Sequence, residues 1–292
     1  MIKIENNNRM YDIAIIGSGP AGISAAVNAK ILNKNFIWFA SSEVSKKVGQ
    51  AELVKNYLGL PDIKGEELSK AFLNHADTLG IKPVDKVVTG VYSGGNYFTL
   101  LAGNEDFTAK TVILCLGVDA AKIDGEEGLV GRGISYCATC DGFMYRGKNI
   151  AILCTDKRFE HEVEFLCSVA NKAYVMPLYK GYGIKAKNAE ILLKSPVRFE
   201  GKERLEKIVF KDGSLDVDGL FILRSSVSPS ILLHGLEIKD GHINVDRAMK
   251  TNIKGVFAAG DCTGRPYQYI KAAGEGNVAL HSAIEYLAEI EQ

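Results

Sequence analysis

The chain has 292 residues, of which 47% are hydrophobic and 24% are charged, so it is long enough for two hydrophobic cores. Lys and Arg together number 35, as do Asp and Glu; the formal net charge is zero, and no overall field favours nucleic acid or an anionic membrane. The first ten residues are polar, and no apolar run has the length of a bilayer span. We therefore expect a cytoplasmic protein without a signal peptide or membrane anchor.

The N-terminal part predicts a strand, a tight turn and a helix. Tyr11–Ile16 is a short β-branched run that ends at Gly17, and the Ala- and Val-rich stretch to about Leu32 has helical spacing. Phe36–Ala40 then predicts a second parallel strand, which completes a βαβ unit.

The turn of this unit carries a complete glycine fingerprint, Gly17-Ser-Gly-Pro-Ala-Gly22. Gly17 permits the turn, Gly19 lets the backbone approach a pyrophosphate, and Gly22 lets the helix pack closely on the strand. The helix N-terminus favours an anion. We expect a diphosphate ligand here, with ribose contacts from Ser41, Ser42 or the backbone, because no acidic residue ends the second strand.

The same pattern begins again in the middle of the chain, without its glycines. Asn149–Leu153 aligns with the first strand, 158–170 predicts a helix, and 173–176 predicts the next strand. In this register Cys154, Asp156 and Phe159 replace the three glycines. The Asp156 carboxylate would repel a pyrophosphate at close range.

The remaining segments predict how the two copies are joined. Asp85–Leu101 alternates around Ser93-Gly-Gly-Asn96 and predicts an antiparallel hairpin, 111–116 predicts a buried strand, 255–261 a strand and turn, and 272–290 a helix. We predict an α/β protein with two Rossmann-like nucleotide-binding-fold domains of the three-layer ββα type, the second inserted in the first. The predicted bounds are 1–118 with 242–292 for the first domain and 119–241 for the second.

Of six cysteines, only Cys137 and Cys140 are close in sequence, in the run Cys137-Ala-Thr-Cys140-Asp-Gly. Two thiols at this spacing, at a turn that enters a helix, can close a disulfide and exchange it. The alternative is half of a zinc site, although a four-cysteine site needs a second close pair. We interpret the other four cysteines as packing residues.

Several motifs in order now identify a family. They are Gly17–Gly22, Gly49-Gln50, Asn56-Tyr-Leu-Gly59, Cys137–Asp141, Phe257-Ala-Ala-Gly-Asp261, Gln268 and Ala272-Ala-Gly-Glu-Gly276. Along nearly its whole length the chain resembles the low-molecular-weight thioredoxin reductases. The resemblance implies bound FAD, a homodimer, and thioredoxin as the protein substrate.

The resemblance also implies the roles of individual residues. Cys140 would be the thiol next to the flavin, Cys137 would attack the thioredoxin disulfide, and Asp141 would transfer protons; the alternative for Asp141 is a helix cap. Because Cys137 must be exposed and Cys140 must face the flavin, we expect a movement between the half-reactions. The residues expected to contact FAD are Gly17, Ser18, Gly19, Pro20, Ala21, Gly22, Ala40, Ser41, Gly49, Gln50, Asn56, Val87, Gly117, Gly260, Asp261, Gln268 and Tyr269.

The NADPH enzymes of this family carry a second glycine loop and an arginine cluster, and this chain has neither. Met176–Tyr182 offers a single Lys. The pattern is similar to that of the ferredoxin-dependent flavin thioredoxin reductases, which implies ferredoxin as electron donor. Three alternatives remain open at this point: a related enzyme with a similarly degraded nucleotide loop and an unknown donor, an NADPH enzyme with a divergent site, and a flavin-bound redox sensor. Ten Lys or Arg against four Asp or Glu in residues 171–211 could dock an acidic ferredoxin.

Overall fold

The computed structural model describes residues 10–41, 46–49, 51–117, 123–224 and 228–291. Its strands are β1 Met10–Ile16, β2 Phe36–Phe39, β3 Val88–Ser93, β4 Phe98–Ala102, β5 Glu105–Leu114, β6 Ile134–Ser135, β7 Asn149–Cys154, β8 Lys172–Pro177, β9 Ala189–Ile191, β10 Arg198–Glu200, β11 Lys207–Phe210, β12 Gly213–Asp216, β13 Gly219–Leu223, β14 Ile238–Lys239, β15 His242–Ile243 and β16 Val256–Ala258. Its α-helices are α1 Pro20–Ile31, α2 Lys46–Gly49, α3 Gly65–Thr78, α4 Glu126–Leu129, α5 Ala138–Asp141, α6 Glu160–Val169, α7 Pro229–Leu232 and α8 Tyr269–Ile290. Within the described ranges, no helix has the length and apolarity to cross a membrane.

The chain divides into two compact units. Unit 1 contains residues 1–119 and 229–292, and unit 2 contains residues 120–228. The first boundary lies close to the predicted one, whereas the second lies before Pro229 instead of after residue 241. Helix α7 packs against strand β3 of unit 1, and Glu237 donates its N–H to the Asn252 side chain at 2.9 Å. The segment from Pro229 therefore belongs to the first unit.

Unit 1 is built on a six-stranded sheet in which β5 is the central strand. Strand β5 pairs in parallel with β1 along one edge. Along the other edge its first half pairs antiparallel with β4, and its second half pairs in parallel with β16. Strand β2 extends the sheet beyond β1, again in parallel. This topology brings the carboxyl ends of β1, β2, β5 and β16 to one edge.

Helices α1 and α8 pack against each other beside this sheet. Both are rich in small residues, and a Cβ on Gly276 of α8 would lie 2.1 Å from the Ala21 backbone oxygen of α1. Only glycine permits this approach, so α8 fixes the start of α1. The core around them is apolar and includes the fully buried Ile13, Ala25 and Ala283.

Unit 2 repeats the plan with a five-stranded sheet in the order β6-β13-β7-β8-β9, all in parallel. The central strands β7 and β13 are almost entirely buried, as expected of a parallel sheet covered on both faces. Strands β10, β11 and β12 form a separate antiparallel sheet.

The fold class predicted from the sequence, an α/β protein with two Rossmann-like domains, is confirmed. The hairpin β3–β4 is antiparallel as predicted, and β16 returns to the first unit. Strand β5 begins at Glu105, six residues earlier than predicted, because its first half pairs with β4. The helix predicted over residues 158–170 is α6. It begins at Glu160, because Lys157–Phe159 form a 3-10 turn before it.

Candidate functional site

The glycine fingerprint of unit 1 has the geometry of a phosphate-binding turn. A Cβ on Gly17 would lie 2.0 Å from the Cys115 backbone oxygen, and one on Gly22 would lie 2.1 Å from the Gly17 oxygen. Both glycines are therefore required by close backbone contacts. In contrast, a Cβ on Gly19 would meet no atom of the described residues within 4 Å, which leaves space for a ligand above this residue. Gly19 immediately precedes Pro20, the first residue of α1.

Other residues expected at the cofactor follow the ends of neighbouring parallel strands. Ala40 follows β2, Gly117 follows β5, and Gly260 follows β16. Gly117 and Gly260 have φ values of 72° and 91°, which favour glycine. Strand ends at a common edge are where α/β folds bind nucleotides.

Asn56 and Gln268 are brought together although 212 positions separate them. The Asn56 side-chain amide donates to Gln268 Oε1 at 2.6 Å. Gln268 immediately precedes α8, whose first residue is Tyr269, and burial raises the pKa of the Tyr269 phenol. These two loops therefore form one surface of unit 1.

The remaining predicted contacts are placed as follows. Ser18 lies in the fingerprint turn, Ser41 follows Ala40, Gly49 ends α2, and Val87 directly precedes β3. Gln50 and Ser42 lie outside the described residues.

The residues of this edge fit FAD. The open space over Gly19 at a helix N-terminus suits a diphosphate. Asp261 begins a 3-10 turn directly after Gly260, and carboxylates in such positions can accept hydrogen bonds from ribose or ribityl hydroxyls. Two segments would thus hold the cofactor. The glycine fingerprint would bind it through backbone groups, and Gly260 with Asp261 would bind it through the backbone and the Asp261 carboxylate.

In unit 2, Cys137 and Cys140 form a disulfide, with Cα atoms 5.3 Å apart. Cys137 is the N-cap of the single-turn helix α5, and its sulfur accepts the Cys140 N–H at 3.2 Å. A donor aimed at this sulfur stabilises negative charge on it when the bond is opened.

Cys140 is exposed and Cys137 is half-buried. The Cys137 sulfur is directed towards α5 as its N-cap. The movement expected between the two half-reactions stays a prediction.

Asp141 is held by a serine that the sequence analysis did not single out. Ser135 is buried at the end of β6, and its hydroxyl donates to Asp141 Oδ2 at 2.7 Å. Its oxygen also accepts the Cys137 N–H at 3.1 Å. Asp141 ends α5 and takes the N-cap position of the 3-10 turn Gly142–Tyr145, but its carboxylate makes no capping hydrogen bond there. Ser135 thus connects the acid to the dithiol segment.

The four other cysteines are free and buried. Burial raises the pKa of Cys167 and of Cys262 to about 11, and also raises the pKa of Cys115 and of Cys154. A thiol that keeps its proton is a poor nucleophile at neutral pH. The disulfide pair is therefore the reactive sulfur pair of the chain.

The degenerate glycine loop of unit 2 is occupied by the protein's own side chains. Glu160, the first residue of α6, accepts the Gly183 N–H and the Tyr179 hydroxyl, both at 2.8 Å. The bond from Gly183 lowers the pKa of Glu160, which keeps its carboxylate ionised. Phe159, in the place of the third glycine, is buried. A carboxylate thus lies at the helix N-terminus that would receive a pyrophosphate.

No local pattern predicts this contact, because Tyr179 and Gly183 follow the next strand, about twenty residues after Glu160. The Cys154 sulfur also fills the loop and donates to the Asp156 backbone oxygen at 3.3 Å.

The basic segment 171–211 is partly neutralised. Ion pairs join Lys172 to Glu190, Lys194 to Asp212, Arg198 to Glu200 and Lys207 to Asp216. Three exposed lysines of the β8–β9 connection, Lys180, Lys185 and Lys187, have no acidic partner in the part of the chain that the structure describes.

Comparison with known proteins agrees with this geometry. Residues 11–155 and 182–276 match the pyridine nucleotide-disulphide oxidoreductase family. The thioredoxin reductase of Aquifex aeolicus is 33% identical over 88% of this chain and 87% of its own. That of Bacillus subtilis is 27% identical over 98% of both.

Among solved structures, a ferredoxin-flavin thioredoxin reductase from Clostridium acetobutylicum is 43% identical, with a TM-score of 0.89 over 97% of this chain and 99% of its own. The atypical thioredoxin reductase TRi of Desulfovibrio vulgaris Hildenborough is 29% identical, with a TM-score of 0.67 over 96% of this chain and 98% of its own. Proteins of the matched family are FAD-binding flavoproteins, which accords with the residues at the edge of the unit 1 sheet. The chain therefore belongs to the pyridine nucleotide-disulphide oxidoreductases and, within them, to the thioredoxin reductases, FAD-dependent enzymes that reduce a protein disulfide through a dithiol of their own.

Proposed function

We propose that this thioredoxin reductase receives its electrons from reduced ferredoxin and passes them, through FAD and the Cys137–Cys140 pair, to the disulfide of thioredoxin. The ionised Glu160 carboxylate at the N-terminus of α6 is the observation that carries the choice of donor. NADPH would have to bring its pyrophosphate against this carboxylate and displace its hydrogen bonds.

The free energy of binding also disfavours NADPH. Hydrogen bonds to charged groups contribute about 1.5–3 kcal/mol each, so the missing arginines alone weaken NADPH binding by about a hundredfold or more. The 43% identity to a ferredoxin-flavin enzyme supports the same donor. When bound, FAD supplies the chemistry that couples one-electron donors to a two-electron disulfide.

The chain's own residues then act in two steps. Two electrons and two protons convert the Cys137–Cys140 disulfide to two thiols. The Cys137 thiolate attacks one sulfur of the thioredoxin disulfide and expels the other; Cys140 then attacks the Cys137 sulfur, re-forms the internal disulfide and releases the reduced thioredoxin. Asp141, oriented by Ser135, gives and accepts the protons.

Exposure of Cys140 at the surface of unit 2 fits its role. A sulfur that takes electrons from a group bound to the other unit must lie at the surface of its own unit. Cys137 is half-buried in the oxidised state, so the dithiol segment has to open before thioredoxin can be attacked. Phe143 and Met144, 56% and 69% exposed, give the partner an apolar surface close to Cys140 in sequence.

We further propose that the enzyme works as a homodimer in the cytoplasm. A reducing compartment suits four free buried thiols beside one working pair.

Flavin absorbance under anaerobic conditions tests the donor. Addition of NADPH should leave the oxidised flavin band unchanged, and addition of chemically reduced ferredoxin should bleach it. With oxidised thioredoxin present, the second mixture should yield thioredoxin thiols and the first should not. Rapid bleaching by NADPH alone would overturn the proposal. Failure to reduce any thioredoxin at catalytic rates with either donor would instead favour a redox sensor.

A further inference from the structure

Helix α8 carries a Lys–Glu pair that contacts the segment Gly260–Gly264, called here the cofactor loop. Lys271 Nζ and Glu275 Oε2 are 3.1 Å apart, and their side chains are only 19% and 20% exposed. The pair is thus largely shielded from water, where the interaction between charges is stronger than at an open surface.

Both side chains are directed to the backbone of the cofactor loop. Lys271 Nζ donates to the Gly260 oxygen at 3.0 Å and to the Gly264 oxygen at 2.7 Å. Glu275 Oε2 accepts the Gly260 N–H at 2.9 Å and the Thr263 hydroxyl at 3.0 Å. The pair therefore binds both ends of a loop whose two glycines have φ values of 91° and 129°.

The placement of the pair is unfavourable for the helix itself. Lys271 is in the first turn of α8, where the helix dipole disfavours a cation. At i,i+4 spacing, Lys before Glu is the weaker order, whereas the exposed pair Glu66–Lys70 of α3 has the stronger one. Helix propensity does not account for Lys271 and Glu275, and their loop contacts do.

The loop also touches the glycine fingerprint. A Cβ on Gly260 would lie 3.1 Å from the Ala21 Cβ, and Gly276, next to Glu275, is in close contact with the Ala21 backbone. The two segments assigned to FAD are thus held in one packed arrangement by α8.

We propose that Lys271 and Glu275 are positioning residues that hold the cofactor loop in the conformation that binds FAD. The inference rests on the proposed assignment of Gly260 and Asp261 to the cofactor. A flexible glycine-containing loop would lose entropy whenever FAD bound; a loop fixed in advance avoids that loss and retains FAD more tightly.

The test is release of FAD from the purified holoenzyme on dilution, followed by the rise in flavin fluorescence. Glu275→Ala and Lys271→Met should each raise the dissociation constant about ten- to a hundredfold, since each removes hydrogen bonds made by a charged group. Glu275→Gln, which keeps an acceptor, should have a smaller effect. The matched control is Glu66→Ala of the exposed pair, which should release FAD as the wild type does.

A second measurement separates positioning from general destabilisation. Excess FAD should restore the melting temperature of Glu275→Ala towards that of the wild type, because the ligand binds the native state. The inference would be overturned if the melting temperature of Glu275→Ala stayed equally far below that of the wild type at every FAD concentration and FAD release were unchanged.

Hydrogen exchange of the Gly260 amide gives an independent readout. The exchange should be faster in Glu275→Ala than in the wild type, and equal exchange rates would contradict a positioning role for Glu275. Asp261→Ala, which removes the acceptor, separates the inference from the proposed cofactor site. If Asp261→Ala does not weaken FAD binding, the assignment of the loop to FAD fails. If it does while the Lys271 and Glu275 variants do not, only the inference fails.

Discussion

Arg224 and Glu126 form an ion pair of 2.6 Å in the interior of unit 2, with side chains 7% and 0% exposed. Tyr136, the residue before Cys137, donates its hydroxyl to the same carboxylate, and the Arg224 guanidinium lies 5.0 Å from the Tyr136 ring centroid. Glu126 Oε2 also accepts the Ile123 N–H at 3.1 Å. The strand that leads into the dithiol is therefore anchored by a buried charged group.

Removing one partner of this pair should be strongly destabilising. Glu126→Ala leaves the Arg224 charge buried without its partner, which costs about 3–5 kcal/mol, whereas Glu200→Ala in the exposed Arg198–Glu200 pair should cost about 1 kcal/mol or less. Urea unfolding of the holoenzyme, followed by far-UV circular dichroism, measures both. Replacing both buried partners, with Glu126→Leu and Arg224→Met, should recover part of the loss. Equal losses for Glu126→Ala and Glu200→Ala would contradict this account.

Asp141→Asn should slow thioredoxin reduction about 10²–10⁴-fold, because the amide can no longer exchange protons with the dithiol. Reduction of FAD by the donor in a single turnover should proceed as in the wild type. Ser135→Ala should give a smaller loss, since the carboxylate stays but loses the 2.7 Å contact that orients it. Asp216→Asn, at an exposed carboxylate of unit 2, is the control. If Asp141→Asn turns over at the wild-type rate, Asp141 has no proton-transfer role.

The parts of the fold that were predicted correctly are those set by local sequence. The turn from β1 into α1 needs glycines at fixed positions, and the backbone contacts of Gly17 and Gly22 show why. The hairpin β3–β4 was predicted from alternation and a glycine-containing turn. Hydrophobic period and turn chemistry act over a few residues, so they can be read directly from the chain.

The contacts that the sequence did not predict join groups that are far apart in the chain. Arg224 and Glu126 are 98 positions apart, and Gly183 reaches Glu160 from the connection after the next strand. These contacts depend on how the loops pack over the ends of the strands, and the spacing of hydrophobic residues does not predict that packing. The loss of the glycines did predict an altered nucleotide loop, but not which carboxylate fills it. Ser135, six residues before Asp141, was within reach of the sequence analysis as a hydroxyl near a candidate acid.

The free lysines of the β8–β9 connection should govern association with the donor. Replacing Lys180, Lys185 and Lys187 together by Gln should raise the KM for ferredoxin and flatten its dependence on salt, because exposed charges steer an acidic partner. The matched control replaces three lysines of the basic segment 171–211 that already have acidic partners: Lys172, Lys194 and Lys207. Equal effects of the two triple variants on KM would contradict a docking role for the connection.

The buried thiols of Cys167 and Cys262 predict a loss of stability in alkaline solution. In the folded protein each has a pKa raised to about 11 by burial, whereas the unfolded thiol has its ordinary value of 9.0. Between these pH values the unfolded state binds fewer protons than the native state, so the free energy of unfolding falls as pH rises. The loss approaches about 2–3 kcal/mol per thiol at pH 11.

The measurement is urea unfolding of the holoenzyme between pH 8 and 11, with and without both cysteines. The double variant Cys167→Ala and Cys262→Ala starts from lower stability, because it leaves small cavities. Its free energy of unfolding should nevertheless fall less steeply with pH than that of the wild type, since it lacks the two thiols whose ionisation burial suppresses. The free energy of unfolding changes with pH with one slope in the wild type and another in the variant. The difference between these slopes gives the contribution of the two thiols, because lysines and tyrosines that titrate in the same pH range contribute equally to both. Parallel slopes would mean that both thiols ionise as readily in the folded chain as in the unfolded one, and the proposed inertness of these cysteines would then be wrong.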